Sequence, residues 1–302
     1  MAPATDDRNG LVNRILPEMK LSDGSASSMT GPPAPFPHYL NPEGRATLRF
    51  AVEGNAVITG GGGTLALEAA KALLEHGAAG LALLDVNAVQ ASDAAADLRK
   101  EFPEAKIIAK AVDVTNAESV ATAFGESAEE LGGIDMLCCF AGVVGCTHAM
   151  DMSHEQWRKA MDVNCSGAFL CAQAAARSMK EHGRGGSIVL IASISAHRVN
   201  YPQPQVAYNV SKAGVVHLAH CLAAEWASYG IRVNSISPGY MDTILNEGAG
   251  LENARNAWAA RNPMGRMGSP QELQGPIVLL CSGAGSYMNG ADLVVDGGAI
   301  VF

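Results

Sequence analysis

A tyrosine and a lysine four positions apart form the pair of residues with the clearest chemistry in this sequence. Tyr208 and Lys212 stand in the segment Tyr-Asn-Val-Ser-Lys, at the start of a predicted helix that continues to Trp226. Positions i and i+4 share one face of a helix, so the Lys212 ammonium can lie near the Tyr208 phenol. At about 5 Å and an effective dielectric near 20, one positive charge favours the phenolate by roughly 3 kcal/mol, which moves its pKa from about 10 toward about 8. Such a tyrosine can act as a general acid or base.

A serine hydroxyl is expected beside this pair. Ser195 lies thirteen residues before Tyr208 and follows a predicted strand at residues 187–192. A strand that ends there would present the hydroxyl next to the phenol. The Tyr-x-x-x-Lys spacing alone is also typical of a surface helix pair. Its position after the fifth predicted strand is what favours a catalytic site.

A run of glycines indicates an anion site. Gly60 to Gly63 follow a predicted strand at residues 56–59 and precede a helical pattern of apolar residues. Glycines let backbone N–H groups approach an anion closely, and the helix N-terminus adds partial positive charge. No Lys or Arg lies in this loop, so a bound pyrophosphate would depend on backbone dipoles. A glycine run alone is equally compatible with an ordinary tight turn.

An acidic residue at the end of the second predicted strand points to the kind of nucleotide. Asp85 lies 25 residues after Gly60, where a carboxylate can accept hydrogen bonds from both hydroxyls of an adenosine ribose. It would repel a 2′-phosphate, and no basic residue occurs between Ala78 and Leu98. The pattern therefore predicts NAD rather than NADP, the alternative being a solvated Asp at a strand end.

The surrounding pattern predicts the fold. Seven short runs are apolar throughout instead of alternating, which is typical of parallel strands covered by helices on both faces. We therefore predict an α/β fold, a single doubly wound (Rossmann) domain with a seven-stranded parallel sheet and helices on both faces. Capping patterns at helix starts are Thr115 with Glu118, Ser153 with Gln156, and Ser269 with Glu272. The predicted strands are residues 56–59, 81–85, 106–112, 136–139, 187–192, 232–237 and 293–296.

The chain divides into two parts at about residue 50. Residues 1–50 form an N-terminal arm rich in Pro, Ser and Gly, and residues 51–302 form the dinucleotide-binding catalytic domain. The arm is either a loosely ordered tail or an extension over a neighbouring subunit. Residues 242–261, with Gly248, Gly250 and Trp258, are expected to be a substrate flap, the alternative being an ordinary surface helix pair.

Composition excludes several classes of protein. The 302 residues carry 21 basic and 30 acidic side chains, a net charge of −9 and no Lys/Arg-rich block, so no nucleic-acid partner is expected. Seven cysteines without C-x-x-C spacing indicate a reduced, cytoplasmic protein. No apolar run approaches the roughly 18 residues of a membrane span, and Asp6 and Asp7 are unlike a signal peptide. The eight histidines have no metal-ligand spacing, so no metal site is expected.

Taken together and in order along the chain, these features are similar to those of one family. Residues 55–302 resemble the short-chain dehydrogenases/reductases. Within it, the segments VNYPQPQVAYN, LAAEWASYGIRVNSISPGYMDT and NPMGRMGSPQEL look most like fungal polyol dehydrogenases and ketose reductases of the arabinitol, mannitol and sorbose type. The matching positions are Thr59-Gly60 with the glycine run, Asp113 after the third strand, Ala141-Gly142 after the fourth, Asn164 in the segment MDVNCSG, Ser195, Tyr208, Lys212, and Ser237-Pro238-Gly239 followed by Met241 and Thr243.

The resemblance implies a catalytic tetrad of Asn164, Ser195, Tyr208 and Lys212. Tyr208 would exchange a proton with the substrate oxygen, which Ser195 holds by a hydrogen bond. Lys212 would bind the nicotinamide ribose and lower the pKa of the tyrosine, and Asn164 would anchor a water that passes the proton toward solvent. Asp113 and Val114 would face the adenine, and Pro238 to Thr243 the carboxamide. The full set of implied cofactor contacts is Gly60, Gly62, Gly63, Thr64, Leu65, Asp85, Val86, Asp113, Val114, Ala141, Gly142, Tyr208, Lys212, Pro238, Gly239, Met241 and Thr243.

Two departures from the family pattern leave alternatives open. Thr64 and Ala66 stand where the resemblance predicts the second and third glycines. Thr64 would either crowd the pyrophosphate or donate its hydroxyl to a phosphate. Cys139 and Phe140 stand where the family has two asparagines, and Phe140 is expected to reshape the floor of the pocket.

The resulting expectation is an NAD(H)-dependent oxidoreductase that interconverts a secondary alcohol and a ketone, in particular a polyol and a ketose. One alternative is a ketoreductase of secondary metabolism that acts on a bulkier ketone, in a pocket lined by Phe140 and Trp258. Another is a dinucleotide-binding or scaffold protein without turnover. The predicted substrate contacts are Ser195, His197, Asn200, Gln205 and Tyr208.

A homo-oligomer is also expected. The family resembled is usually tetrameric, so the resemblance implies a homotetramer. Two predicted helices carry small apolar residues suited to close packing between subunits. These residues are Ala172, Ala175, Ala176, Ala213 and Ala219.

Overall fold

The computed structural model describes residues 16–25, 27–243, 246 and 251–301. Its centre is one sheet of seven strands: β1 (Asn55–Thr59), β2 (Gly80–Asp85), β3 (Lys106–Ala111), β4 (Met136–Cys139), β5 (Gly186–Ile191), β6 (Ile231–Pro238) and β7 (Asp292–Val295). All neighbours pair in parallel, in the order β3-β2-β1-β4-β5-β6-β7. Because the chain builds outward from β1 in one direction and from β4 in the other, a crevice opens at the carboxyl ends of these two strands. The predicted fold class is confirmed.

Helices connect the strands and cover both faces of the sheet. A π-helical turn at Asp162–Ser166 joins the helix His154–Met161 to the helix Gly167–His182 in one continuous helical segment. The nine helices of the described residues are α1 (Pro42–Arg49), α2 (Thr64–Glu75), α3 (Ala88–Glu101), α4 (Ala117–Leu131), α5 (His154–Met161), α6 (Gly167–His182), α7 (Val206–Trp226), α8 (Glu252–Ala260) and α9 (Gln274–Cys281).

Side chains of the central strands alternate between two apolar layers. In β1, Val57 belongs to the layer under α4, α6 and α7, and Ile58 belongs to the layer under α2, α3 and α9. Both side chains are fully buried. Since each face of the sheet is covered, most positions of the central strands are apolar, which explains the apolar runs of the sequence. All seven predicted strands are present, and their ends lie within one residue of the predicted ends.

The predicted helix starts are correct in two cases and wrong in one. Ser153 and Gln156 form a reciprocal capping box at α5, and Ser269 and Glu272 form another at the 3-10 turn Pro270–Leu273. At α4 the cap is Asn116, whose side-chain oxygen accepts hydrogen bonds from two backbone amides of the first turn. The predicted cap, Thr115, instead donates its hydroxyl to a carboxylate before the helix. Asparagine is the stronger N-cap of the two adjacent candidates.

The described part of the N-terminal arm contacts its own chain. Its helix α1 is capped by Asn41 and lies near the 3-10 turn Gly283–Gly285, and the Arg49 guanidinium lies 5.5 Å from the centroid of the Phe36 ring. Residues 1–15 lie outside the described part. None of the described helices combines the length and apolar character needed to cross a membrane.

The alanines predicted to pack between subunits are largely used within this one. Ala172, Ala175 and Ala219 are fully buried, and Ala176 is nearly so, in the layer that α6 and α7 form with the sheet. Ala213 is exposed. The interpretation of Ala172, Ala175 and Ala219 as subunit contacts is therefore wrong, because these side chains have no surface left to offer. The tetramer itself stays a prediction.

Candidate active site

A cavity of about 640 Å³ opens at the carboxyl ends of β1, β4, β5 and β6. This is the place where doubly wound sheets bind their ligands. It extends from the glycine loop after β1 to the loop between β6 and α8. The predicted site residues that line it are Gly60, Gly63, Thr64, Leu65, Gly142, Ser195, Gln205, Tyr208, Lys212, Pro238, Gly239, Met241 and Thr243.

The glycine loop has the shape of an anion cradle. Gly60 has φ +66, and a Cβ there would lie 2.7 Å from the backbone nitrogen of Ala141, so glycine is required for both conformation and space. A Cβ on Gly62 would lie 2.6 Å from Cγ of Gln90. Gly63 is the N-cap of α2, and no side chain of the described residues caps this helix. The first amides of α2 are therefore free to bind an anion.

The dinucleotide that the fold implies fits this cradle. The free amides and the positive end of α2 would hold a pyrophosphate. Thr64 is the first residue of α2 and lines the cavity, and Ala66 is buried in the core beside it. The missing family glycines thus fall inside a regular helix, and the turn itself is built by Gly60 to Gly63.

Asp85 is closely tied to the glycine loop. One carboxylate oxygen accepts a hydrogen bond from the Gly62 amide at 3.1 Å, and the other accepts one from the Asn87 amide at 2.9 Å. Gln90 of α3 adds a second tie, since its side-chain amide donates to the Gly62 carbonyl at 2.8 Å. Gln90 also lines the cavity. Sequence reasoning missed this residue, because nothing in the pattern of α3 distinguishes it from a surface glutamine.

Three implied cofactor contacts, of which Asp113 and Val114 are the two implied at the adenine, lie outside the cavity walls. Val86 is 77% exposed after β2. The Asp113 carboxylate accepts hydrogen bonds from the backbone amide and the hydroxyl of Thr115, and these bonds lower the pKa of Asp113. Val114 is buried and packs against Gly167, the first residue of α6. Their contact with an adenine ring stays a prediction.

Tyr208 and Lys212 lie on one face of α7, as the spacing predicts. The Lys212 nitrogen lies 5.7 Å from the centroid of the Tyr208 ring and donates a hydrogen bond to the Ile191 carbonyl at 2.7 Å. Burial lowers the pKa of Lys212 to about 8, while the nearby Cys139 thiol opposes that fall. Burial raises the pKa of the Tyr208 phenol. The expected shift of this phenol toward about 8 is therefore wrong for the protein alone, because that expectation counted the cation and left out the desolvation of the phenolate.

The serine nearest to the phenol is Ser193, which sequence reasoning missed. A hydrogen bond with the Ser193 hydroxyl opposes the rise in the pKa of Tyr208. This hydroxyl also accepts a hydrogen bond from the Ser195 amide at 3.1 Å and donates to the Ser195 hydroxyl at 3.0 Å. Ser195 also lines the cavity, and its described hydrogen bonds are those with Ser193. Ser195 was predicted because it lies thirteen residues before Tyr208, whereas Ser193 lies two residues after the end of β5.

Asn164 is fully buried in the π-helical turn. Its side-chain oxygen accepts from the Val143 amide at 2.7 Å, and its nitrogen donates to the Val143 carbonyl and to the Ser211 hydroxyl, both at 2.9 Å. The side chain therefore fastens the loop after β4 to α7, one residue before Lys212. Since both amide hydrogens are used, a water would have to bind elsewhere at this turn. The water-anchoring role stays a prediction.

His197 does not reach the end of the cavity that lies away from the glycine loop, which we call the substrate end. Its Nε2 lies 2.8 Å from a carboxylate oxygen of Asp292 and 3.2 Å from the Ser237 hydroxyl. The ring thus faces β6 and β7, and His197 is not among the lining residues. Its prediction as a substrate contact is wrong, because the Asp292 carboxylate holds the imidazole away from the cavity. Gln205 is buried at the cavity wall and accepts a hydrogen bond from the Asn200 side chain.

An aromatic wall closes the substrate end. The rings of Tyr240 and Trp258 stack with centroids 4.2 Å apart and planes 5° from parallel. Phe140 also lines the cavity, as expected. Of the predicted flap at 242–261, residues 244, 245 and 247–250 lie outside the described part, including Gly248 and Gly250. The described remainder contains α8, which carries Trp258.

Charge is scarce in the cavity. Lys212 is the one charged side chain among the described lining residues. Across the described part of the chain, no group of three or more His, Cys, Asp or Glu residues could hold a metal ion.

The fold, the glycine cradle and the Tyr208–Lys212 pair in the cavity wall together define an oxidoreductase of the short-chain dehydrogenase/reductase family, and the chain belongs to that family. A family model described as enoyl-(acyl carrier protein) reductase matches residues 62–299. A solved short-chain type dehydrogenase/reductase from Mycobacterium marinum superposes with a TM-score of 0.80 and 39% identity, over 84% of this chain and 98% of that one. The protein acts on CH–OH groups with NAD or NADP as acceptor.

The relatives that match this chain indicate which group of enzymes within the family it resembles. A sorbose reductase of Schizosaccharomyces pombe is 39% identical over 83% of this chain and 98% of its own length. A ribulose-forming D-arabinitol 2-dehydrogenase of Candida albicans is 40% identical, over 82% and 94%. An NADP-dependent mannitol dehydrogenase of Hypocrea jecorina is 38% identical, over 82% and 93%. The resemblance to fungal polyol dehydrogenases is confirmed, whereas the preference for NAD is not supported by a group that includes an NADP enzyme.

Proposed function

We propose that the protein interconverts a neutral polyol and the corresponding ketose with NAD(H). The observation that carries the proposal is the half-buried Tyr208 in the cavity wall, with a hydrogen bond to Ser193 and with Lys212 on the same face of α7, next to a cradle for a dinucleotide. The relatives named above supply the substrate class, since they act on sorbose, arabinitol and mannitol by name.

The chain's own residues would act on the proton of the substrate hydroxyl. Ser193 would turn its hydroxyl hydrogen from Ser195 to the substrate oxygen and hold that oxygen in place. Tyr208 would accept the proton during oxidation and return it during reduction. The positive charge of Lys212 would favour the phenolate at the moment of transfer. Nicotinamide dinucleotide, when bound, carries the hydride.

The cavity favours an uncharged substrate over a sugar acid or a sugar phosphate. Asn200, Gln203 and Gln205 offer neutral hydrogen-bonding groups at its substrate end. The nearest described cation on α8, Arg255, is paired with Asp242 at 2.8 Å. Lys212, the one charged side chain among the described lining residues, already donates a hydrogen bond to the Ile191 carbonyl. A carboxylate or phosphate would therefore lose water without gaining a dedicated ion pair in the cavity wall, which is unfavourable.

Asp85 supports NAD over NADP. Its carboxylate is fixed at the edge of the glycine loop by two backbone amides and would repel a 2′-phosphate. Arg99, the nearest basic residue after it in sequence, is engaged with the Ile107 carbonyl at 2.9 Å. Against this stands the NADP-dependent relative, so the two coenzymes must be compared directly.

The test is an activity panel with both coenzymes. We expect turnover of arabinitol, mannitol or sorbose, with a higher kcat/KM for NAD(H) than for NADP(H), and little turnover of gluconate or sugar phosphates. A Tyr208→Phe variant should lose nearly all turnover while it still binds NADH, as measured by fluorescence titration. Near-full activity of Tyr208→Phe would contradict the mechanism, and preference for an acidic sugar would contradict the substrate class.

A bulkier ketone is the second candidate substrate. Phe140 and Trp258 line the cavity and provide apolar surface that a polyol does not need. Aromatic ketones therefore belong in the same panel. If one of them is reduced with a kcat/KM above that of every ketose, the polyol assignment is wrong and the chemistry of Tyr208 still stands.

A further inference from the structure

One glutamine side chain links three separate segments at the substrate end of the cavity. Gln203 lies in the loop between β5 and α7, Tyr240 lies two residues after β6, and Trp258 lies on α8. The Gln203 nitrogen donates to the Tyr240 hydroxyl at 3.0 Å, and the Gln203 oxygen accepts from the Trp258 indole nitrogen at 3.2 Å. We call these three residues the Gln203 clasp. All three line the cavity.

The polar groups of the Gln203 clasp have limited access to water, so they depend on their hydrogen bonds with each other. Trp258 is 7% exposed, so its indole N–H has little access to water and needs an acceptor within the protein. Burial raises the pKa of the Tyr240 phenol, while the hydrogen bond from Gln203 opposes that rise. The phenol is therefore neutral at physiological pH and available to accept the amide hydrogen. Removing the amide would leave the buried indole N–H of Trp258 without its acceptor and the half-buried Tyr240 hydroxyl without its donor.

A second tie holds the same helix from another side. Arg255 of α8 pairs with Asp242 at 2.8 Å and donates to the Asn246 carbonyl at 2.7 Å. The Asp242 amide in turn donates to the Gly268 carbonyl at 2.7 Å. This tie joins α8 to the segment that follows β6. The clasp joins α8 to the β5–α7 loop, and the Arg261 guanidinium at the end of α8 adds a contact 4.8 Å from the centroid of the Tyr201 ring. This loop begins next to Ser193 and leads into the first turn of α7, which carries Tyr208.

We propose that Gln203 is a positioning residue that sets the substrate end of the cavity. By fixing the ring planes of Tyr240 and Trp258, its amide holds the aromatic wall at one distance from Ser193 and Tyr208. The substrate's carbon chain then lies between this wall and the reacting hydroxyl. This role rests on the proposed function, because it assumes that the reacting oxygen binds at Tyr208. The dinucleotide cradle lies at the opposite end of the cavity and does not depend on the clasp.

The test compares two substitutions of similar size. Gln203→Met keeps the volume of the side chain and removes both hydrogen bonds, whereas Gln203→Glu keeps two oxygens that can accept from the indole N–H and from the Tyr240 hydroxyl. We expect Gln203→Met to raise the KM for the polyol by about tenfold, the factor for loss of one to two net hydrogen bonds. Its kcat should change by less than about twofold, and the affinity for NADH should stay unchanged. Gln203→Glu should restore most of the KM.

A readout without substrate separates this inference from the proposed function. Gln203→Met should shift the tryptophan emission to the red as the Trp258 indole loosens toward water, and Gln203→Glu should return it. The matched control is Gln173→Met on α6, a glutamine outside the cavity that only accepts a hydrogen bond from Arg177. It should leave both KM and emission unchanged.

Distinct outcomes overturn the two proposals. An unchanged KM and emission in Gln203→Met would overturn the positioning role. An equal loss of polyol and NADH affinity would also overturn it, since that result indicates general disruption of the loop. If the wild-type protein turns over no polyol, the proposed function fails, while the emission shift and its return in Gln203→Glu still decide whether the clasp fixes Trp258.

Discussion

Two serines near Tyr208 offer a sharp test of which hydroxyl holds the substrate oxygen. Ser193 is in hydrogen-bond contact with the phenol, and Ser195 is one hydrogen bond further away. Ser193→Ala removes a hydroxyl aimed at the oxygen where charge develops, a change that costs about 10²–10³ in kcat, or about 3 kcal/mol. Ser195→Ala removes only a neutral neighbour of Ser193, worth about 1 kcal/mol, or about fivefold.

The assay is steady-state oxidation of the best polyol over a range of pH. Oxidation needs the Tyr208 phenolate, so the rate rises with pH through the pKa of that phenol. Because the hydrogen bond with Ser193 opposes the rise in the pKa of Tyr208, Ser193→Ala should move the rise in rate to higher pH as well as reduce the plateau. Ser195→Ala should leave the position of the rise close to that of the wild type. NADH titration of both variants checks that the cradle is intact.

The reasoning would be refuted by the reverse order of effects. If Ser195→Ala lost more activity than Ser193→Ala, the oxygen would be held by the serine that thirteen-residue spacing selects, and the contact between Ser193 and Tyr208 would be structural only. A Ser193→Ala profile shifted to lower pH would contradict the sign of the hydrogen bond's effect on the phenol.

Three further predictions concern charge and backbone. Burial lowers the pKa of Lys212 from 10.5 to about 8, so the unfolded chain binds more protons than the folded chain between these pH values. The free energy of unfolding should therefore rise by about 2 kcal/mol from pH 7 to pH 10. Chemical denaturation of the wild type and of Lys212→Met, which lacks this group, measures the difference. Asp85→Ser removes the negative charge but keeps an acceptor for the Gly62 amide, so the ratio of kcat/KM for NADP to that for NAD should rise about tenfold or more, and an unchanged ratio would show that Asp85 does not face the ribose. Gly60→Ala should abolish NADH binding and destabilise the fold by more than about 2 kcal/mol, because its Cβ meets backbone at 2.7 Å; Gly63→Ala, whose Cβ meets only one oxygen at 3.2 Å, is the matched control and should fold normally.

The fold was readable from the sequence because the sheet is covered on both faces. That burial makes the middle of the runs at Ile58, Leu83 and Leu137 apolar on both faces of the sheet, and it leaves few other ways to place these segments. The one error at a helix start, at α4, was local. Thr115 and Asn116 are adjacent and both can cap, so the choice between them depends on how the chain leaves β3.

The site was readable only in part, because spacing does not give direction. The pair Tyr208 and Lys212 could be predicted, since a helix fixes i and i+4 on one face. Ser193, Ser195 and His197 all lie within six residues after β5, and which of them faces the cavity depends on the 3-10 turn at Ile194–Ala196. His197 is turned away by Asp292, a residue 95 positions later in the chain. The contacts of Gln203 likewise join residues far apart in sequence, for which a single sequence carries no signal.

The double duty of Asp85 has a consequence for protein engineering. The carboxylate that would choose between coenzymes also anchors the turn that receives them, through the Gly62 amide. Replacing Asp85 by a basic residue to bind the 2′-phosphate of NADP would also remove the acceptor of the Gly62 amide. The gain in affinity for NADP would then be partly lost, because the glycine turn would be less well ordered. A variant designed to prefer NADP should therefore combine the new positive charge with a second substitution that supplies a hydrogen-bond acceptor for the Gly62 amide.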